Sequence, residues 1–128
     1  MNGGLLLADK GQVNLLIYGD SISAGYGMDK DKQWSEELQK ILTEAKINIE
    51  ITNKSLSGET TGGGLSRLER VLDNSKPSYI LIELGGSDAL RGYPPANKKN
   101  NIEPMINLSI NRRIKGFLTQ TRILPNHG

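Results

Sequence analysis

Three glycine- and hydroxyl-rich stretches, each directly behind an apolar run, hold the residues best suited to chemistry. GDSISAGYG (19–27) follows VNLLIY (13–18), SLSGETTGGG (55–64) follows INIEITN (47–53), and GGSDALRGYPP (85–95) follows SYILIEL (78–84). Each supplies glycines, which let backbone N–H groups approach a ligand closely, together with short hydroxyls and an acid. Two chemistries use such a pocket. Phosphate binding is opposed by Asp20, Glu59 and Asp88, with no Gly-Lys-Ser/Thr to offset them and no G-x-G-x-x-G after the first run. Acyl transfer needs a serine at a strand-to-helix junction and N–H donors aimed at a developing oxyanion. Ser21 stands at such a junction.

The elements that must position these loops are legible in the spacing of apolar residues. Val13 to Tyr18 reads as a buried strand, the alternation of Ile47, Ile49 and Ile51 as a half-buried one, and SYILIEL as another buried strand. Between them, Trp34, Leu38, Ile41, Leu42 and Ala45 recur at helical spacing over Gln33 to Ala45, with Trp34 packing into the core. Thr60 or Thr61 caps a second helix whose Leu65, Leu68, Val71 and Leu72 line one face. A surface loop spans Gly85 to about Asn101. Asn101 then caps a helix with Ile102, Met105, Ile106 and Ile110 inward, and IKGFLTQT (114–121) closes the series as a fourth strand. Alternating strands and helices predict an α/β fold with a parallel sheet covered by helices on both faces. In such sheets ligands bind at the carboxyl ends of the strands, where the three loops lie.

The 128 residues fit one domain, read as 13–128 with residues 1–12 an N-terminal extension. A net charge of +2 gives no reason to expect a nucleic-acid partner. Beyond Asn97, Lys98, Lys99, Arg112, Arg113, Lys115 and Arg122 face a single acid, Glu103, which reads as a solvated helix face plus a basic loop. There is no cysteine and one histidine, His127, so thiol nucleophiles, disulfides and multi-histidine metal sites are excluded and no metal or cofactor is expected. No apolar stretch reaches membrane-spanning length, and GGLLLADKG (3–11) is too short in apolar residues for a signal-peptide core. The compartment stays open.

GDS after the first strand, SGETT after the second and ELGGSDALRG after the third resemble the first three sequence blocks of the SGNH, or GDSL, hydrolases, in particular the bacterial thioesterase I/lysophospholipase L1 and arylesterase branch. The likeness runs from about Leu15 to the final RILPNHG. It implies a three-layer, flavodoxin-like sandwich with strand order 2-1-3-4-5. It also implies a cofactor-free serine esterase, thioesterase or lysophospholipase acting on small acyl esters or thioesters. Ser21 matches the nucleophile, and the backbone N–H groups of Ser21 and Gly58 match two oxyanion donors. Ser87 occupies the position of the asparagine that supplies the third. Asp20 and Asp88 match acids that support the motifs, and His127 matches a position in a loop bordering the substrate site; Tyr26 and Tyr93, from their place in the pocket loops, are candidates to line it. Relatives of this kind are often periplasmic or secreted.

The family's general base is a histidine in an Asp-x-x-His motif, which these 128 residues do not contain. The reading is therefore of a domain truncated after its fourth strand, short by roughly 40–50 residues at average element lengths, with impaired catalysis. Two other readings stay open: a non-catalytic remnant or acyl-ligand binder, and a flavodoxin-like phosphate or nucleotide binder. A fourth strand left at the sheet edge invites pairing with another chain, so a homodimer through that strand is expected.

Overall fold

The computed structural model describes residues 13–20 and 33–118. In β1 (Val13–Gly19) every residue from Leu16 onward is buried, and Leu16, Ile17 and Tyr18 have no exposed surface. Side chains alternate across a strand, so burial of consecutive residues requires cover on both faces of the sheet. β2 (Ile49–Asn53) and β3 (Tyr79–Glu83) flank β1, both parallel to it, with Leu15 opposite Ile51 on one side and Tyr79 on the other. β4 (Lys115–Leu118) pairs in parallel with β3, Ile80 opposite Gly116, giving the order β2-β1-β3-β4. Helices make the crossovers that parallel strands need. They are α1 (Trp34–Glu44), α2 (Thr61–Ser75), the short α3 (Gly86–Leu90) and α4 (Pro95–Asn111). The parallel α/β architecture expected from the alternation of patterns is what forms.

The main core joins Leu16 and Tyr18 of β1 and Ile80 and Ile82 of β3 to Leu68 and Leu72 of α2 and Ile102 and Met105 of α4. Burying each such side chain contributes about 1.5–3 kcal/mol. One turn before Leu68, Gly64 brings α2 close to the sheet: a Cβ there would stand 2.6 Å from Leu84 Cδ1. On the far side, the Gln39 amide of α1 donates to Ile49 O at 2.9 Å and accepts from Ile51 N–H at 2.8 Å. That pair of bonds satisfies the backbone of β2 along its outer edge, where a neighbouring strand would otherwise pair.

Several expectations are corrected. Residues 86–90 and 95–100, read as parts of one loop, form α3 and the first turns of α4, so Asn101 lies inside the helix and does not cap it. Pro94, extended at φ −60° and ψ 145°, holds the N-cap position and Pro95 opens the helix. Proline suits that first position because its φ is already helical and its absent N–H would have had no partner there. Ile110 is 61% exposed, not inward. Ile41 of α1 is also 61% exposed, off the stripe that Leu38 and Leu42 half-bury, and Trp34 is only half-buried. Ile47 precedes β2, which begins at Ile49, and is exposed. Residues 1–12 and 119–121, the latter read as the end of the fourth strand, lie outside the described residues, and no helix among the described residues is long and apolar enough to cross a membrane.

Candidate active site

All four strands run the same way, so the three loops leave one end of the sheet together, with Gly19 opposite Glu83 and Ile17 opposite Asn53 at the last rungs. Ser21, Tyr26 and His127 lie outside the described residues. What is described is the frame around the chain just before Ser21: Asp20, the β2–α2 loop with Gly58, and the β3–α3 loop with Ser87 and Asp88.

The first two loops are tied by backbone and hydroxyl bonds. Lys54 N–H donates to Ile17 O at 2.9 Å, Leu56 N–H to Gly19 O at 3.1 Å, and Gly19 N–H to Ser55 Oγ at 2.9 Å. The loop therefore continues alongside the end of β1 before turning away. It turns at Leu56–Glu59, where Glu59 N–H donates to Leu56 O at 3.1 Å and Gly58 stands third with φ +80°. A type II turn requires that left-handed conformation at its third residue, and glycine adopts it without steric cost. Among the described residues, and apart from its chain neighbours, no heavy atom lies within 4 Å of where a Gly58 Cβ would be.

The second and third loops are tied by Asp88. Its carboxylate is 3% exposed and accepts from Thr61 N–H at 2.7 Å and from Thr61 Oγ at 2.6 Å. Thr61 is the first residue of α2 and has no exposed surface. The carboxylate thus takes up one of the helix's unpartnered N–H groups and sits at the positive end of the helix dipole. Thr60 caps the same helix, its hydroxyl accepting from Gly63 N–H at 3.2 Å. Asn101 of α4 donates from Nδ2 to Thr61 Oγ1 at 3.0 Å, which adds a third element to the cluster.

Ser87, in the first turn of α3, is 7% exposed, and among the described residues its hydroxyl has no hydrogen-bond partner. Gly85 before it takes φ +120°, a backbone only glycine adopts readily, and a Cβ there would meet Lys98 Cε at 2.7 Å. Asp20 is 4% exposed. Tyr93 is 43% exposed and joined to the site through its backbone, N–H to Asp88 O at 2.9 Å. A cavity of about 380 Å³ lined by Gln39, Thr43 and residues 46–50 lies at the start of β2, the opposite end from these loops. The roles of Thr61 and Asn101 in holding Asp88 escaped the sequence reading, which gave both to helix capping. Their contacts cross 27 and 40 residues of chain and leave no periodic trace.

A four-stranded parallel sheet in the order β2-β1-β3-β4, with the loop after β2 tied to the end of β1 and, through Asp88, to the loop after β3, places the domain in the flavodoxin-like α/β class. The chain belongs to the GDSL-like lipase/acylhydrolase family, whose model matches residues 17–126. It is 41% identical over 124 residues to an arylesterase of Vibrio mimicus, covering 97% of this chain and 62% of that protein. It is 39% identical to esterase TesA of Pseudomonas aeruginosa over the same shares. Among solved structures, the psychrotrophic esterase EstA of Pseudoalteromonas, inhibited by monoethylphosphonate, superposes with a TM-score of 0.85 at 36% identity, covering 90% of this chain and 63% of that one. The chain spans about three-fifths of the length of these relatives.

Proposed function

We propose that this chain carries the nucleophile portion of a serine ester or thioester hydrolase. Ser21 Oγ attacks the acyl carbonyl carbon, and the carbonyl oxygen takes the negative charge. The N–H groups of residues 21 and 58 receive that charge, with the Ser87 hydroxyl in the third donor position. The Ser21 proton passes to a base and then to the departing alcohol or thiol, and water releases the acid from the acyl-enzyme. The observation that carries this reading is the left-handed Gly58 turn, bonded through Leu56 and Ser55 to the strand end that leads into Ser21. Asp20 and Asp88 support the loops in this reading, and Tyr26, Tyr93 and His127 border the acyl or alcohol site.

Within these 128 residues there is no Asp-x-x-His motif. Loss of one triad member costs about 10⁴–10⁶ in turnover and leaves about 10³ over water from the oxyanion donors and binding. The isolated chain therefore reacts slowly at Ser21 and turns over weakly. The same lack of a base favours a second reading, an acyl-ligand binder without turnover. Incubation with a chromogenic acyl ester and a serine-directed phosphonate separates them. Labelling at Ser21, abolished by Ser21→Ala, is expected for the hydrolase portion. Saturable ester binding without labelling marks the binder.

A second copy of the chain is the macromolecular partner in this proposal, paired through the outer edge of β4. Leu118 there is 50% exposed beside Ile110, around an apolar recess of about 120 Å³ shared with Ile82 and Ile106. Sedimentation velocity at micromolar concentration is expected to show a dimer that Leu118→Lys dissolves. A monomer at all concentrations refutes the pairing.

A further inference from the structure

The loop that holds Gly58 is gripped from outside by one side chain that the sequence blocks do not single out. Arg67, on the second turn of α2, donates from Nη2 to Lys54 O at 2.7 Å and from Nε to Glu59 Oε1 at 2.5 Å. Lys54 opens the loop after β2, and Glu59 directly follows Gly58. One planar guanidinium thus spans both feet of the turn. Its own position is set from below, since its Cζ lies 4.6 Å from the centroid of the Tyr18 ring. Tyr18 has no exposed surface, and its hydroxyl donates to Gly64 O at 2.6 Å. The ring that supports Arg67 is therefore held by both the sheet and α2. Glu59 is confined in turn, with its side chain 11% exposed. Its Oε2 occupies the space a Cβ at Gly63 would need, 2.7 Å away.

We propose that Arg67 is a positioning residue for the oxyanion donor at Gly58, an assignment that rests on the hydrolase reading of the site. A backbone N–H stabilises a developing oxyanion only if it is already aimed when charge appears. A turn of glycine and serine residues has many alternative conformations of similar energy, and ordering them costs entropy. The guanidinium removes that freedom in advance by fixing the distance between Lys54 O and the Glu59 carboxylate. A lysine carries the same charge but offers a point donor in place of the fork, so it holds one foot of the turn and not both.

Two measurements on Arg67→Gln and Arg67→Lys test this. The first is amide hydrogen exchange over residues 54–60. Arg67→Gln is expected to exchange tenfold or more faster there, while residues 13–19 and 79–83 keep the parent's protection; unchanged exchange in the loop overturns the proposal whether or not Ser21 reacts. The second is the rate of Ser21 modification by a p-nitrophenyl alkylphosphonate. The limiting rate is expected to fall about 10–100-fold, the scale of a misaimed donor, with the saturation constant unchanged. Arg67→Lys is expected to recover only part of it. Glu59→Gln combined with Arg67→Gln is expected to add little to the single loss, and full additivity overturns the coupling. If Arg67→Gln does not fold, Glu59→Gln alone serves for both measurements. A parent chain that never labels at Ser21 refutes the hydrolase reading, and the exchange result still decides the role of Arg67 in holding the turn.

Discussion

Replacing Asp88 by alanine isolates the bond that joins the second and third loops. The carboxylate and its partner Thr61 are both buried, and two hydrogen bonds of 2.7 and 2.6 Å are lost at once. Each orphaned buried group costs about 1–3 kcal/mol. Loss of a negative charge at the start of α2 adds about 0.3–1 kcal/mol. Against this, a buried carboxylate no longer has to be desolvated, which returns part of the cost. The expected net loss is about 2–4 kcal/mol. Asp88→Asn should cost less, about 1–2 kcal/mol, because its remaining oxygen still accepts from the Thr61 N–H. The Thr61 hydroxyl, which already accepts from Asn101, then lacks an acceptor for its own proton. Urea unfolding followed by far-ultraviolet circular dichroism measures both. With a slope of about 1.5 kcal/mol/M, the alanine variant's midpoint falls by about 1.3–2.7 M. Thr61→Val removes the other side of the bond, so the double variant should cost at least about 1 kcal/mol less than the sum of the singles. An Asp88→Ala loss below about 0.5 kcal/mol, or strict additivity in the cycle, refutes this account of the junction.

Other perturbations bear on the same frame. Burial is the main cause pushing the Tyr18 phenol well above its ordinary value of 10.0, with Glu59 adding to it and Arg67 opposing. The folded protein keeps a proton that the unfolded chain releases, so this stability is complete below about pH 10 and declines as pH rises beyond it. Tyr18→Phe should cost about 1 kcal/mol at neutral pH by losing the bond to Gly64 O and should flatten the alkaline decline, as read by unfolding at pH 7 to 11. Lys76, which ends α2 in the left-handed region at φ 45°, should gain about 1 kcal/mol on substitution by glycine, measured by the same urea titration. Gly64→Ala forces a Cβ to 2.6 Å from the buried Leu84. An overpacking cost of about 1–3 kcal/mol then outweighs the helix-propensity gain of about 1 kcal/mol. At Gly62, where the nearest atom would be 3.7 Å away, the same change should stabilise by about 0.5 kcal/mol.

The apolar patterns of this chain were enough to place β1 and β3, because strands buried on both faces read as unbroken apolar runs. The recurrence of Leu65, Leu68 and Leu72 placed α2, because a helix buries one stripe. Together with the three blocks GDS, SGETT and ELGGSDALRG, this settled the fold class and the family. The start of α4 was misread because proline and asparagine in a row have the composition of a loop. Whether they open a helix depends on the packing of Ile102 and Met105 two turns further on. Tertiary structure alone decided which side chains hold the loops and the sheet edge: Asp88 on Thr61, Asn101 on Thr61, Arg67 on Lys54 and Glu59, Gln39 on the edge of β2. Local periodicity reports only which face of an element avoids water. Bonds between elements depend on distances that exist once the sheet has brought distant parts of the chain side by side.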